Sequence, residues 1–362
     1  MQVVLSLLTL VPGGMGGSET YVRELARELA ARDRVETSVL VPGNVEGGYR
    51  GEIPIPQVRI GPSIAARLWA ILQALRSGRR IRASMVGEVV HYPFTIPVPS
   101  PNRAQATVIT VHDVQHRDLP ELFSVPERMF RYFLYDRPAR KAELVVTVSA
   151  FAKQGIVRHL GIPADRVRVI PLAVNIDEFT PNLGVRGDFV LYPARGWKHK
   201  NHLALVEAMR ILRSTRPGMR LVLTGGALES LGDLPDWVEV RGNVPRAELR
   251  ELYRSASVLA FPSLYEGFGL PPLEAMASGC PVAASDEGSL PEVCGDAAVY
   301  FDPKDPADIA HGILEAIARS GELAEAGLAR VREFSWSRCA GDHEAAYREA
   351  ASRHAASSGA VR

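Results

Sequence analysis

Residues 263–279, SLYEGFGLPPLEAMASG, decide the fold. They follow an apolar run, SVLAFPS, with the length of a buried strand, and lead into a second one, PVAAS. Residues 264–269 read as a loop, and Pro271 and Pro272 suit the first positions of a helix, where no N–H is required. Gly279 and Pro281 close that helix. Strand, loop, helix and strand in this order make a parallel unit whose loop lies at the carboxyl edge of the sheet. Two acids, Glu266 and Glu274, stand eight positions apart around the loop, with Gly267, an exposed-looking Phe268 and Gly269 between them. The spacing puts Glu274 in the first turn of the helix, beside its dipole. Carboxylates also accept paired hydroxyls such as those of a ribose or hexose ring, and the glycines bare backbone N–H groups between the two acids.

The same alternation extends through the chain. VVLSLLTLV precedes the helical pattern SETYVRELARELAARD, in which Tyr21, Val22, Leu25 and Leu29 share a face. ETSVLV, a helix around ARLWAILQALR, and the strands EVVH, ATVITV, ELVVTVS and RVRVIPL complete the first half. The polar, Pro- and Gly-bearing NIDEFTPNLGVRGD breaks the rhythm. DFVLYPA, RLVLTGG and WVEVRG then restart it ahead of SVLAFPS, PVAAS and AAVYFD, and the end of the chain is helical. The predicted organisation is α/β: two doubly wound domains at 1–174 and 188–334, a linker at 175–187, and a last segment at 335–362. Loops from the carboxyl ends of both sheets are expected to converge on one cleft.

A length of 362 residues suits two such domains. With 46% hydrophobic and 23% charged residues the chain is globular, and a formal net charge of +1 gives no global bias toward nucleic acid. Cys280, Cys294 and Cys339 form no CxxC, which fits a reducing, cytoplasmic setting and neither a disulfide framework nor a zinc site. The opening MQVVLSLLTLV lacks the charged start and cleavage site of a signal peptide and reads as a buried strand.

Three further loops carry chemistry. VPGGMGGSET places four glycines between a strand and a helix, with Ser18 as the expected N-cap. Close backbone approach and helix N–H groups favour an anion there, but the dinucleotide fingerprint fails, since Glu19 holds its third glycine position and the acid about twenty residues on, Glu36, begins the second strand instead of ending it. ATVITVHDVQH brings His112 and Asp113 just past a strand, His112 for a substrate hydroxyl or acid–base work and Asp113 for the following turn. DFVLYPARGWKHKNH repeats strand, loop and helix with Arg195, Lys198 and Lys200 in the loop and Asn201 as a helix cap, an anion site fit for phosphate.

With these residues in view, the run EGFGLPPLE resembles the EX7E signature of retaining glycosyltransferases with the GT-B fold, above all the large GT4 family. The likeness extends in order through MGGSETYVREL, TVHDVQH, VTVSAFAKQGI, RVRVIPLAVNIDEFTP, LYPARGWKHKNH, RGNVPRAELRELY and SLPEVCGDAAVYFDP. Two positions depart from it: Ala173 and Ala194 stand where the family usually has glycine. In motif style the chain is most similar to bacterial mannosyltransferases.

The resemblance implies that Glu274 holds the donor ribose hydroxyls and Glu266 those of the transferred sugar. It implies that the backbone of Gly267, Phe268, Gly269 and Leu270 meets sugar and diphosphate. Lys200 and Arg195, with Lys198 able to share the charge, would neutralise the departing diphosphate. Gly16 and Gly17 would border the diphosphate and acceptor, His112 would meet the donor sugar, and the backbone at Val244 would read the base. The final helix would return to the first domain. No metal and no cofactor are implied, and the chain has no DxD motif.

The expected reaction is transfer of a hexose, mannose from GDP-mannose first, to a glycan or lipid-linked acceptor in bacterial polysaccharide or glycoconjugate biosynthesis. UDP-glucose and UDP-GlcNAc are the alternative donors. A nicotinamide-dependent dehydrogenase is opposed by the broken glycine fingerprint, and a catalytically silent homologue by the intact Glu266, Glu274, Lys200 and His112. Five arginines from Arg67 to Arg82, with no acid and with apolar residues at helical spacing, suit either a solvated basic helix end or peripheral contact with an anionic membrane on the inner face of the plasma membrane.

Overall fold

The apolar runs become two parallel sheets in the computed structural model, in which residues 1–359 are described. The first sheet contains β1 (Gln2–Ser6), β2 (Glu36–Pro42), β3 (Glu52–Ile55), β4 (Val89–Tyr92), β5 (Ala106–Thr110), β6 (Leu144–Thr147) and β7 (Val167–Val169). Their order is β3-β2-β1-β4-β5-β6-β7. The second sheet contains β8 (Phe189–Pro193), β9 (Arg220–Thr224), β10 (Val238–Gly242), β11 (Val258–Phe261), β12 (Val282–Ser285) and β13 (Val299–Phe301), ordered β10-β9-β8-β11-β12-β13. Strands with both faces covered by helices need apolar side chains on each face, and Val3, Val4, Leu5 and residues 258–261 are wholly buried. Strand order reverses between β1 and β4 in the first sheet and between β8 and β11 in the second. Those reversals open the crevices in which doubly wound sheets take their ligands.

The chain divides into two compact units. One comprises Met1–Val148, Ala152–Pro171 and the described residues from Trp336 onward; the other comprises Ser149–Phe151 and Leu172–Ser335. Passage into the second unit thus falls at Pro171–Leu172, and residues 175–187 lie inside that unit. There the Arg186 guanidinium, partly buried, donates to the carbonyls of Asn182, Tyr253, Ala256 and Gly279.

Seven helices position the sites: α1 (Gly17–Ala30), α2 (Ile64–Arg76), α3 (Val125–Arg131), α4 (His202–Arg213), α5 (Arg246–Ser255), α6 (Leu270–Ala277) and α7 (Trp336–Gly359). The last returns to the first unit, held by Arg168 on Glu349 at 2.6 Å and by Arg353 on Asp165 at 3.2 Å. The amphipathic reading of α1 is realised, with Tyr21, Val22, Leu25 and Leu29 all buried. Its cap is not the expected one. The helix starts at Gly17, so Ser18 lies within it, and Gly16 takes the cap position at φ 55°, a left-handed conformation suited to glycine. β3 escapes a reading by apolar run because it contains Pro54, which only an edge strand tolerates.

Candidate active site

In the second unit the loops after β8 and β11 leave neighbouring strands at the point of strand-order reversal. The first bears a short turn at Lys198–Lys200 before α4. Tyr192, on β8, donates its hydroxyl to the Lys200 carbonyl at 2.6 Å and stands 3.1 Å from the Ser263 hydroxyl, while Leu264 N donates to the His199 carbonyl at 2.8 Å. These bonds tie the two loops together. Across them Lys200 Nζ donates to Glu266 Oε1 at 2.5 Å, with the side chains only 14% and 12% exposed.

Arg195 and Lys198 share the first loop. The Arg195 guanidinium lies over the Trp197 ring, 5.4 Å from its centroid, and Lys198 is exposed. Gly196 permits this loop's closeness to the next one: a Cβ there would lie 2.1 Å from the Ala227 carbonyl oxygen. Asn201 holds the cap position of α4 as read, but its side chain makes no capping bond. It adopts the left-handed conformation, φ 60°, and its amide reaches away to the carbonyls of Pro262 at 3.2 Å and Pro303 at 2.6 Å.

After β11 the chain folds around Ser289, whose hydroxyl lies 3.0 Å from the Glu266 carbonyl and 2.8 Å from that of Phe268. The Gly267 carbonyl accepts from Ser149 at 2.7 Å. With these carbonyls engaged on one side, the N–H groups at the start of α6 have no acceptor within the helix. Phe268 is not exposed. It is buried edge-on against Phe334, 5.9 Å between centroids, because the loop needs an apolar anchor between its two glycines.

Glu274 lies one residue deeper in the helix than expected, just past its first turn, since α6 begins at Leu270, before both prolines. Its partner is therefore a side chain: Tyr253 of α5 donates its hydroxyl to Glu274 Oε2 at 2.8 Å. Burial raises the Glu274 pKa above the ordinary carboxylate value, and the Tyr253 hydrogen bond opposes the rise. Gly279 closes the helix as read, at φ 66° with its N–H on the Met276 carbonyl. Val244 follows edge strand β10, half-buried, ahead of α5.

In the first unit Gly16 and Gly17 stand at the start of α1, in the connection that leaves β1. The Glu19 carboxylate accepts from Gly13 N at 2.9 and 3.1 Å, so an acid already occupies one amide of the glycine turn. His112 is half-buried past β5. Its Nε2 donates to the Pro93 carbonyl at 3.1 Å, which leaves Nδ1 as an acceptor in the neutral ring. Burial lowers its pKa, favouring that neutral form. Asp113 accepts from Gln115 N at 3.0 Å and shapes the turn, as read.

The structure thus joins Lys200 to Glu266 directly and places Arg195, Lys198 and Gly267–Leu270 in the same two loops or at the following helix start. Glu274 stands apart from that pair, on the next helix turn. Sequence reading missed Tyr253, Ser289 and Tyr192, which hold the acids and the loops. Tyr253 is visible only as a core position one turn after Leu249, with nothing local to mark the carboxylate it serves. Among the described residues no group of His, Cys, Asp and Glu side chains is arranged to hold a metal ion, and no helix is long and apolar enough to cross a membrane.

Known proteins match both halves. A family model described as Glycosyltransferase Family 4 matches residues 15–178, and one described as Glycosyl transferases group 1 matches residues 176–327. The O-antigen chain mannosyltransferase B of Escherichia coli is 35% identical over 266 residues, which span 66% of this chain and 69% of that protein. Sucrose-phosphate synthase from Thermosynechococcus elongatus has the same fold, with a TM-score of 0.76, 21% identity, and 96% and 98% of the two chains covered. So does the Anabaena protein HepE, solved with UDP-glucose, at a TM-score of 0.70, 18% identity, and coverage of 94% and 98%.

Proposed function

We propose the reaction of this chain from the family it belongs to, the GT4 glycosyltransferases with the GT-B fold: transfer of a mannosyl group from GDP-mannose to a glycan or lipid-linked acceptor. The observation that carries the reading is the contact between Lys200 and Glu266 at the strand-order reversal of the second sheet. In a nucleotide-sugar the hydroxyls of the sugar and the charge of the diphosphate are adjacent, and a cation beside an acceptor carboxylate matches both. Glu266 accepts sugar hydroxyls. Lys200, with Arg195 and Lys198 in the same loop, offsets charge that builds on the departing diphosphate, a role in which fixed cations supply much of the rate. The amides at the start of α6 add to that field.

Glu274, aimed by Tyr253, takes the ribose hydroxyls, and the backbone at Val244 reads the base. The first unit takes the acceptor at Gly16 and Gly17, and His112 accepts a hydrogen bond from a donor-sugar hydroxyl through Nδ1. Three cations in one loop support a reaction in which no metal ion is required. Same-face attack, with the leaving phosphate taking the acceptor proton, gives retention through an oxocarbenium-like state. The E. coli relative's name supports mannose, and a UDP-hexose is the second reading because HepE was solved with UDP-glucose.

A peripheral membrane contact is supported by the first unit. Ile64, Leu68, Trp69, Leu72 and Leu75 are exposed along α2, with Arg76, Arg79 and Arg80 exposed at and beyond its end. Val125, Met129, Tyr132 and Phe133, on α3 and the turn after it, form a second exposed apolar row among arginines. Helices with one apolar and one basic face settle at anionic interfaces.

The deciding experiment incubates the purified protein with GDP-mannose, UDP-glucose and UDP-GlcNAc and measures released nucleotide, with the anomeric configuration of the product read by NMR. Release from GDP-mannose with an α-linked product supports the proposal. Release only from a UDP-sugar moves it to the second reading, and inversion overturns the same-face mechanism.

A further inference from the structure

Behind the carboxyl edge of the first sheet, five buried polar side chains form one continuous line. Tyr347 Oη lies 2.9 Å from His91 Nδ1, and His91 Nε2 lies 2.7 Å from Thr110 Oγ1. Thr110 Oγ1 lies 3.0 Å from Tyr21 Oη, which lies 2.7 Å from His343 Nε2, and His343 Nδ1 lies 2.8 Å from the Cys339 carbonyl. All five side chains are fully buried.

One end of this line fixes the direction of every bond. A carbonyl only accepts, so His343 carries its proton on Nδ1. Burial lowers the pKa of both His343 and His91 and keeps the rings neutral. His343 Nε2 must then accept from the Tyr21 hydroxyl, and Tyr21, its proton committed, accepts from Thr110. Thr110 in turn accepts from His91 Nε2–H, which leaves His91 Nδ1 to accept from Tyr347. No other arrangement of neutral tautomers satisfies all five bonds.

The line passes beside His112 at Tyr21. On parallel β4 and β5, side chains two residues apart share a face. In the register of these strands His91 pairs with Val108, so the His91–Thr110 bond runs diagonally by two residues, and the 3.1 Å bond from His112 Nε2 to the Pro93 backbone carbonyl repeats that offset two residues further along. The Tyr21 ring also abuts the His112 ring edge-to-face, 5.4 Å between centroids at 89°. His343 and Tyr347, four apart and on one face of α7, supply the far end.

We propose that α7 sets the position of His112 through this line, so that Tyr21, His91, Thr110, His343 and Tyr347 are positioning residues for the transfer reaction. The role rests on the reading that His112 meets the donor sugar. It extends that reading to a helix about 230 residues later in the chain.

Two measurements on the full chain test it. The first is ¹⁵N NMR of histidine-labelled wild-type protein at neutral pH. Protonation of His343 at Nδ1 alone and of His91 at Nε2 alone supports the line, and the opposite tautomer or a doubly protonated ring at either site overturns it. The second is a double-mutant cycle between Tyr21→Phe, which keeps the ring against His112 but cuts the line at its middle, and His112→Ala. Turnover is read as nucleotide released from GDP-mannose or, where that donor is silent, from UDP-glucose. Tyr21→Phe is expected to lower kcat on the order of ten-fold, since misplacement by a fraction of 1 Å is enough for such a loss. In the His112→Ala background it is expected to lower kcat no further, whereas a merely structural loss would repeat in both backgrounds. His343→Gln, whose amide oxygen still accepts from Tyr21, is expected to keep most of the turnover that His343→Leu loses. Equal loss of kcat in both backgrounds, or an unchanged kcat in Tyr21→Phe, overturns the positioning role. Wild-type turnover in His112→Ala overturns the reading of His112 and the positioning role together, and the tautomers still report on the line by themselves.

Discussion

Lys200 Nζ and Glu266 Oε1 are 2.5 Å apart, one from each of two loops that leave adjacent strands of one sheet. The pair is largely buried, and in the proposed reaction each member meets a different part of a nucleotide-sugar, so removing either is expected to have two consequences. Lys200→Ala leaves Glu266 without its cation and costs about 1–3 kcal/mol of stability in the second unit. It also removes a fixed charge from the departing diphosphate, for which a loss of kcat of about 100-fold or more is expected. Lys200→Arg, restoring charge but not the point geometry, is expected to recover stability more than turnover. Thermal unfolding beside steady-state kinetics checks both; near-wild-type kcat in Lys200→Ala would sink the assignment.

Tyr253→Phe separates binding from chemistry. The hydroxyl aims Glu274 and opposes the rise that burial imposes on its pKa. In the proposed role Glu274 takes the ribose hydroxyls as a carboxylate, so KM for the donor is expected to climb as pH falls, beginning above the range in which an ordinary glutamate titrates. In Tyr253→Phe that climb is expected to begin at still higher pH, with KM up about ten-fold and kcat little changed, the size of one lost hydrogen bond to a charged group. A pH profile of donor KM in the two proteins reads the difference.

Ser289→Ala tests how the loop around Glu266 is held. Its hydroxyl serves the carbonyls of Glu266 and Phe268, and without it those carbonyls turn as freely as the Phe268 anchor allows. Donor affinity is expected to fall while the fold persists, at a cost of about 1 kcal/mol in stability. Unchanged nucleotide affinity by calorimetry would show that Phe268 alone fixes the loop.

Much of this was legible in the residues and some was not. Strands with both faces covered are continuous apolar runs, which is why twelve of the thirteen could be read and only β3, with Pro54 at the edge, could not. Glu266, Lys200 and the closing Gly279 follow from local spacing. Phe268 misled because apolar residues in loops look exposed until the partner, here Phe334 sixty-six residues on, is known. Ser18 misled in the same way, and Asn201 in part: each has the chemistry of a cap, but nearby backbone geometry moved the start of α1 to Gly17 and gave the Asn201 side chain, at the cap position as read, other acceptors. Tyr253 and Ser289 were out of reach because a residue that positions another is defined by tertiary contact alone.

Stability is expected to fall with pH in a window set by buried histidines. Burial holds His343 in the first unit and His202 in the second at about 4, against an ordinary 6.5, and holds His91 well below that value. The unfolded chain therefore binds more protons than the folded one from about pH 6.5 downward. Their contribution is whole above that value and is lost as pH falls toward 4, at up to about 1.4 kcal/mol per pH unit for each histidine. Urea unfolding at pH 7, 6 and 5 measures the slope, and His343→Gln is expected to flatten it in the first unit; a pH-independent midpoint would mean that these rings are charged in the folded protein.

The arginines of the α2 region bear on where the acceptor is met. Exposed apolar side chains along α2 lie beside Arg76, Arg79 and Arg80, and an anionic surface would attract each such cation by about 1 kcal/mol. Binding to vesicles rich in anionic lipid is expected to weaken steeply between low and physiological salt, because the attraction is screened within about 8–10 Å. Changing the three arginines to glutamate is expected to abolish co-sedimentation while leaving nucleotide release from the donor intact, since none of the three lies in the loops that hold Lys200 and Glu266. Trp69→Ser is expected to weaken binding at every salt concentration alike, because its part is apolar burial. If neither change alters co-sedimentation, or the wild-type protein does not bind anionic vesicles at low salt, α2 is a solvated helix and the acceptor reaches the enzyme by another route.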